Sequence, residues 1–172
     1  LDALAERGQV FPRATSSYHQ TTMTMASLFT GRTPSLERGG ERRSLEVTGR
    51  SWCGMLRFAD DASDACIPEE IPTLAERLRE AGYWTAGVVT NKLLYRPGSY
   101  HRGFDRWEEL AGRAPTAVAT NEVAREVLEE RPGDRFFLYV HYMDVHDYGL
   151  RGESYASTVP RVDWAVGDLM AA

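Results

Sequence analysis

The sequence predicts an α/β fold built on a mostly parallel sheet, and three observations carry that reading. Two continuous apolar runs rich in β-branched and aromatic residues, YWTAGVVT (83–90) and RFFLYVHYM (135–143), read as strands buried on both faces. Helical segments with one apolar face precede, separate and follow them. The connections are short, and helices alternating with strands form crossover units whose strands lie parallel.

Taken in order, LDALAERGQ (1–9) has apolar residues at 1, 4 and 5 and a glycine stop, which marks the end of a helix. VFPRA (10–14) resembles a short strand. TMTMASLFTG is helix-compatible from about Thr22 to Gly31, and Pro34 cannot continue it. Residues 35–70 are rich in charge, glycine and serine and read as a loop excursion. Thr73 and Glu76 then form a capping box, with Leu74, Ala75, Leu78 and Ala81 on one face and Gly82 closing the helix. TAVATNEVAREVLEERPG (116–133) is a second amphipathic helix, with Val118, Val123, Val127 and Leu128 expected inward. STVPRVDWAVGDLMAA (157–172) begins a third.

Composition narrows the function. A net charge of −5 without a basic patch argues against a nucleic-acid partner. No run approaches the roughly eighteen apolar residues of a membrane span. Cys53 and Cys66 lie in the polar excursion, as a disulfide or as two thiols. The first and last residues fall within helical patterns, so residues 1–172 are expected to be an internal fragment of one domain.

In open parallel sheets, ligands bind beyond the carboxyl ends of the strands. Two polar segments are delivered there. The first is Thr15–Thr21, which crowds hydroxyls against the start of a helix. Thr21 is read either as an N-cap or as a nucleophile that the helix N-terminus and a metal would activate. Thr22 is its neighbour; Ser16 and Ser17 are expected to satisfy loop backbone. His19 faces the pocket or lies on a surface loop. The second segment is HYMDVHD (141–147), whose His141, Asp144, His146 and Asp147 have spacing suited to a divalent ion or to acid–base work. His141, inside the strand pattern, is expected to be a packed histidine, and Asp144 to brace the loop or orient His146. Lys92 either neutralises an anionic ligand or is a solvated loop lysine.

These segments carry a resemblance. FPRATSSYHQTTMTMASLFTGRTPS (11–35) resembles the nucleophile segment of the sulfatase family, within the alkaline-phosphatase superfamily. Many members read Cys-x-Pro-Ser-Arg there and end in Leu-Leu-Thr-Gly-Arg. Counted back from Thr30-Gly31-Arg32, the family's Cys or Ser falls on Thr21. TLAERLREAGYWTAGVVTN, HRGFDRW, RFFLYVHYMDVHDYG and YASTVPRVDWAVGDLM resemble later family blocks in order and spacing.

The resemblance implies an incomplete three-layer sandwich with a mostly parallel central sheet, alkaline-phosphatase-like. It implies a sulfuric ester hydrolase with a small anionic ester as substrate and a divalent metal, Ca2+, as cofactor. Thr21 would be nucleophile and one metal ligand, with the other ligands outside the fragment. His146 would be the catalytic partner at the leaving group, and Lys92, His19 and Asp144 would bind substrate. The departures point elsewhere within the superfamily. Formylglycine is made from Cys or Ser, and Thr21 cannot give that aldehyde. Met23 and Met25 replace the motif's Pro and Arg, and the Lys and His of the Gly-Lys-Trp-His run fall on Thr90 and Lys92. Threonine is the nucleophile of related phosphodiesterases, phosphonate hydrolases and phosphoethanolamine transferases, for which Zn2+ or Mn2+ would be the ion. A non-catalytic relative that binds an anionic ligand is the third reading.

Overall fold

The computed structural model describes residues 1–33, 37–38, 41–42, 67, 69–110 and 116–171. Five helices are described: α1 (Asp2–Ala5), α2 (Thr21–Thr30), α3 (Leu74–Glu80), α4 (Ala117–Glu129) and α5 (Tyr155–Met170). Strands β1 (Glu37–Arg38) and β2 (Glu41–Arg42) make a two-residue antiparallel pair within the 35–70 excursion. Cys53 and Cys66 lie outside the described residues.

The main sheet holds β3 (Trp84–Val89), β4 (Arg106–Glu109) and β5 (Phe136–Val140) in the order β4-β3-β5, every neighbour parallel. Gly87 pairs with Trp107 on one side and Tyr139 on the other. Helices cover both faces, as expected of a three-layer α/β fold. Ala86 and Val88 meet Ala124 and Val127 of α4, with Leu169 of α5 packed beside them. On the opposite face Met23, Ala26 and Phe29 of α2 join Val89, Leu94, Tyr100 and Trp107.

Gly87 shapes this second face. A Cβ built there would lie 2.4 Å from the Trp107 ring, so only glycine lets the indole lie across the central strand. Trp107 and Tyr139 come from the two outer strands, and their rings stack with centroids 6.5 Å apart and 8° between planes. Phe29 meets Tyr139 edge-on at 5.0 Å, an orientation that aligns a ring's positive edge with its partner's negative face.

A second constraint fixes β4. The Gly103-Phe104-Asp105 turn is tied to β3 by Thr85, whose hydroxyl donates to Gly103 O at 2.7 Å and whose N–H donates to Asp105 Oδ2 at 2.9 Å. Gly103 has φ +85°, and a Cβ there would sit 2.2 Å from Glu76 N at the head of α3. Phe104 packs against Phe29, Trp107 and Phe137.

The capping box is present: Glu76 N–H donates to Thr73 Oγ1 at 3.2 Å, and Thr73 N–H to Glu76 Oε2 at 2.7 Å. Other expectations fail for physical reasons. VFPRA forms no strand; Val10 and Phe11 are exposed. Strand β4 was not anticipated, because RWEE alternates charge with one aromatic and is only four residues long. Strand β5 ends at Val140 and packs on both faces but is only half-buried, with Phe136 exposed. Leu74, Ala81 and Val118 are exposed. On α4 the buried stripe runs through Thr120 and Asn121 instead of Val118. Asn121 is satisfied inside: its Nδ2 donates to Ala165 O at 2.8 Å, and its Oδ1 accepts from the Tyr142 hydroxyl at 2.6 Å.

These contacts set an order of sensitivities. Gly103→Ala should cost about 3 kcal/mol or more, since a strained φ adds to a clash with backbone. Gly87→Ala should cost about 1–3 kcal/mol, since a ring can shift. Thr73→Ala should cost about 1 kcal/mol. Urea unfolding of the three variants checks the ranking.

Candidate functional site

Helix α2 begins one residue earlier than its pattern suggests. Gln20 is the N-cap, with extended φ −107° and ψ 141°, and no side chain caps the helix. Thr21 is therefore the first helical residue and not the cap. The neighbouring hydroxyls are engaged with backbone. Ser16 and Thr24 both donate to Tyr18 O, at 2.6 and 2.7 Å, which folds the incoming loop onto the first turn. Thr22 is buried, and its carbonyl accepts the Tyr100 hydroxyl at 2.8 Å. Thr21 remains half-exposed. The first bond along the helix runs from Thr24 N–H to Gln20 O at 2.9 Å, so the amides of Thr21 to Met23 precede the ladder and point outward. Gly31, with φ +65°, closes the other end.

The aromatic layer gives the helix its direction. Phe29 lies against Phe104, which just precedes β4, so the end of α2 lies toward the start of that strand. One turn back, Met25 Sδ accepts the Tyr139 hydroxyl at 3.0 Å, further along β5. Helix α2 thus runs against the strand direction and aims its N-terminus at their carboxyl edge. There it meets the 3-10 turn Lys92–Leu94 that follows β3.

Lys92 is exposed at the start of that turn, which Asn91 closes by accepting Leu93 N–H at 3.0 Å. Asn91 Nδ2 also reaches Met143 Sδ at 3.6 Å, so the loops after β3 and β5 touch. His141 continues the ladder, its N–H donating to Val88 O at 2.9 Å. Thr90 donates its hydroxyl to His141 O at 2.8 Å and lies 3.3 Å from His141 Nδ1. Burial holds the His141 imidazole below its ordinary pKa. Its own backbone hydrogen bond opposes this, and the nearby His146 charge adds to it.

Of the two roles expected of Asp144, the structure gives it the bracing of the loop, and Asp147 is the carboxylate that meets His146: His146 Nδ1 lies 2.7 Å from Asp147 Oδ1. The imidazole is 74% exposed while the carboxylate side chain is 7% exposed. Asp144 is fully buried and does not present itself to a substrate. Its Oδ1 lies 3.7 Å from Arg151 Nη1 and 3.9 Å from Arg161 Nε, because a carboxylate taken out of water needs compensating charge. Arg161 is paired in turn with Glu153. The sequence offered a signal for Asp147, namely its place directly after His146 at a strand's carboxyl end. Thr90 was missed because its role is to hold the backbone at His141.

His19 is exposed in the loop before α2. Among the described residues no hydrogen bond or ion pair joins Thr21 to His19, Lys92, Asp144 or His146. The edge collects α2's N-terminus, Lys92 and the His146–Asp147 pair without direct contact between nucleophile candidate and imidazole. No three His, Cys, Asp or Glu side chains converge on one point among the described residues. These residues alone therefore do not supply a donor set for a divalent ion. No helix among them is long and apolar enough to cross a membrane.

A family model described as Sulfatase matches residues 1–172. No curated protein matches the sequence. Among solved structures, the chain is similar to the lipoteichoic acid synthase LtaP from Listeria monocytogenes, with a TM-score of 0.54 and 17% identity over 91% of this chain and 41% of that one. That likeness is one of fold, the alkaline-phosphatase-like α/β arrangement with a parallel sheet. The chain spans about two fifths of the LtaP structure's length.

The lowered pKa of His141 has a definite sign in stability. Its folded value lies below the ordinary one, so the unfolded chain binds the proton more readily. Stability should be complete above about pH 6.5 and fall as pH drops from there through the folded value. The urea midpoint should therefore decline between pH 7 and pH 5.5, and His141→Gln should shrink that decline.

Proposed function

The chain belongs to the sulfatase family, and we propose that it is the nucleophile-bearing part of a sulfatase-like hydrolase that cleaves a small anionic ester through Thr21. One observation carries this reading. Thr21 is the half-exposed first residue of a helix whose N-terminus points at the carboxyl edge of a parallel sheet, where Lys92 and the His146–Asp147 pair also lie.

Each group has a physical role there. The outward amides of the first turn and the helix dipole favour negative charge beside Thr21, whether on its oxygen or on the ester. Lys92 adds positive charge after β3. His146 stands free to exchange a proton at the leaving group. His19 lies in the loop leading to the nucleophile and contributes to ester binding. Members of the family generally use a divalent metal, which supplies Lewis-acid activation when bound. By resemblance the ion is Ca2+, with Thr21 as one ligand; the described residues do not complete its donor set, so no step is derived through it.

A sulfuric ester is the first substrate reading because it is the family's own. A phosphate diester, phosphonate or phosphoethanolamine donor is the second, and a specific residue favours it. Threonine stands where formylglycine would be made, and it attacks through an ordinary hydroxyl. For that chemistry Zn2+ or Mn2+ is the expected ion.

Assays of the full-length protein with 4-nitrophenyl sulfate and bis(4-nitrophenyl) phosphate separate the two readings. Whichever ester the wild type turns over, Thr21→Ala should lower kcat by about three orders of magnitude or more. Turnover retained in Thr21→Ala overturns the assignment. Turnover of neither ester by wild type favours a non-catalytic, anion-binding relative.

A further inference from the structure

We infer that Asp147 is a positioning residue that fixes His146 in the tautomer with its proton on Nδ1, leaving the exposed Nε2 as a proton acceptor. An ionised carboxylate only accepts hydrogen bonds, so the proton shared across the 2.7 Å contact belongs to His146 Nδ1. The geometry isolates that contact. Asp147 is almost fully buried, and the turn beneath it is closed by its own N–H to Met143 O at 2.9 Å. The ring is three-quarters exposed, so its second nitrogen faces outward.

The consequence for the reaction rests on the reading of Thr21 as nucleophile. As Thr21 Oγ1 bonds to sulfur or phosphorus, its hydroxyl proton passes to His146 Nε2. The bond to the leaving oxygen breaks, that oxygen takes the proton from Nε2 and departs as the alcohol, and the acid group is left esterified to threonine. A formylglycine hydrate carries a second hydroxyl on the same carbon, whose electron pair can expel the ester and restore the aldehyde. The Cβ of Thr21 carries one oxygen, so its ester is broken by an incoming oxygen nucleophile at sulfur or phosphorus. As water's oxygen forms that bond, its proton passes to His146 Nε2. The bond to Thr21 Oγ1 then breaks, and the proton returns from Nε2 to the threonine oxygen. Water and the ester are consumed, the free acid leaves, and both residues end as they began. Asp147 does not touch the substrate; it acts by presenting the accepting nitrogen, as a buried aspartate does for a catalytic histidine.

Two measurements on the full-length protein test this separately. Long-range 1H–15N spectra, with His146→Ala to assign the signal, should show neutral His146 protonated on Nδ1. Asp147→Asn should move the proton to Nε2 while leaving the other histidine signals unchanged. A wild-type His146 protonated on Nε2, or an Asp147→Asn spectrum identical to wild type, overturns the inference. The second measurement uses whichever of the two 4-nitrophenyl esters is turned over. Asp147→Asn should lower kcat about 100-fold with KM little changed. Intact-mass spectra should show an adduct on Thr21 accumulating in that variant and absent from Thr21→Ala. Unchanged kcat in Asp147→Asn overturns the base role. Turnover retained in Thr21→Ala removes the nucleophile assignment, while the tautomer result still decides the pair.

Discussion

The hollow above Gly87 is the constraint on which the arrangement depends. The central strand gives up a side chain there, and the Trp107 indole lies across it beside the Tyr139 ring of the opposite strand. This makes a flat aromatic floor, and Phe29 stands on it edge-first. Aromatic contacts of this kind depend on orientation as well as burial. The floor therefore sets where α2 lies and which way it points. Phe29, two turns along from Thr21, is seated on the row formed by Gly87, Trp107 and Tyr139.

The same edge shows how charge is handled differently by neighbouring carboxylates. Asp144 is wholly buried and compensated by Arg151 and Arg161, which tie the loop after β5 to the turn and helix that follow. Asp147 is nearly as buried but faces an imidazole whose far side meets solvent. One carboxylate anchors and the other directs. Their separation by three residues in a tight turn lets one short loop do both.

Much of the fold was legible in the sequence. YWTAGVVT announced a central strand, because burial on both faces leaves no room for polar alternation. Thr73 and Glu76 announced the head of α3 through local bonds that the sequence spells directly. Strand β4 was hidden, because its identity comes from pairing with β3 and from one tryptophan filling a glycine gap. The inward face of α4 was misread for a related reason. Asn121 is buried because Ala165 and Tyr142, distant in the chain, satisfy its amide. Near the carboxyl edge, the start of α2 was legible to within one residue. The partner of His146 was not, since two aspartates flank it and only packing decides which one turns toward the ring.

That partner is the adjacent residue, which gives the pair an unusual mechanical property. Catalytic histidines are commonly aligned by an acid from another element, so a displaced loop separates the two. Here imidazole and carboxylate ride on the same few atoms of main chain. If the loop swings, the bond between them travels along intact, and what changes is the direction in which the ring is offered. The geometry within the pair is thereby uncoupled from the direction in which the loop points it.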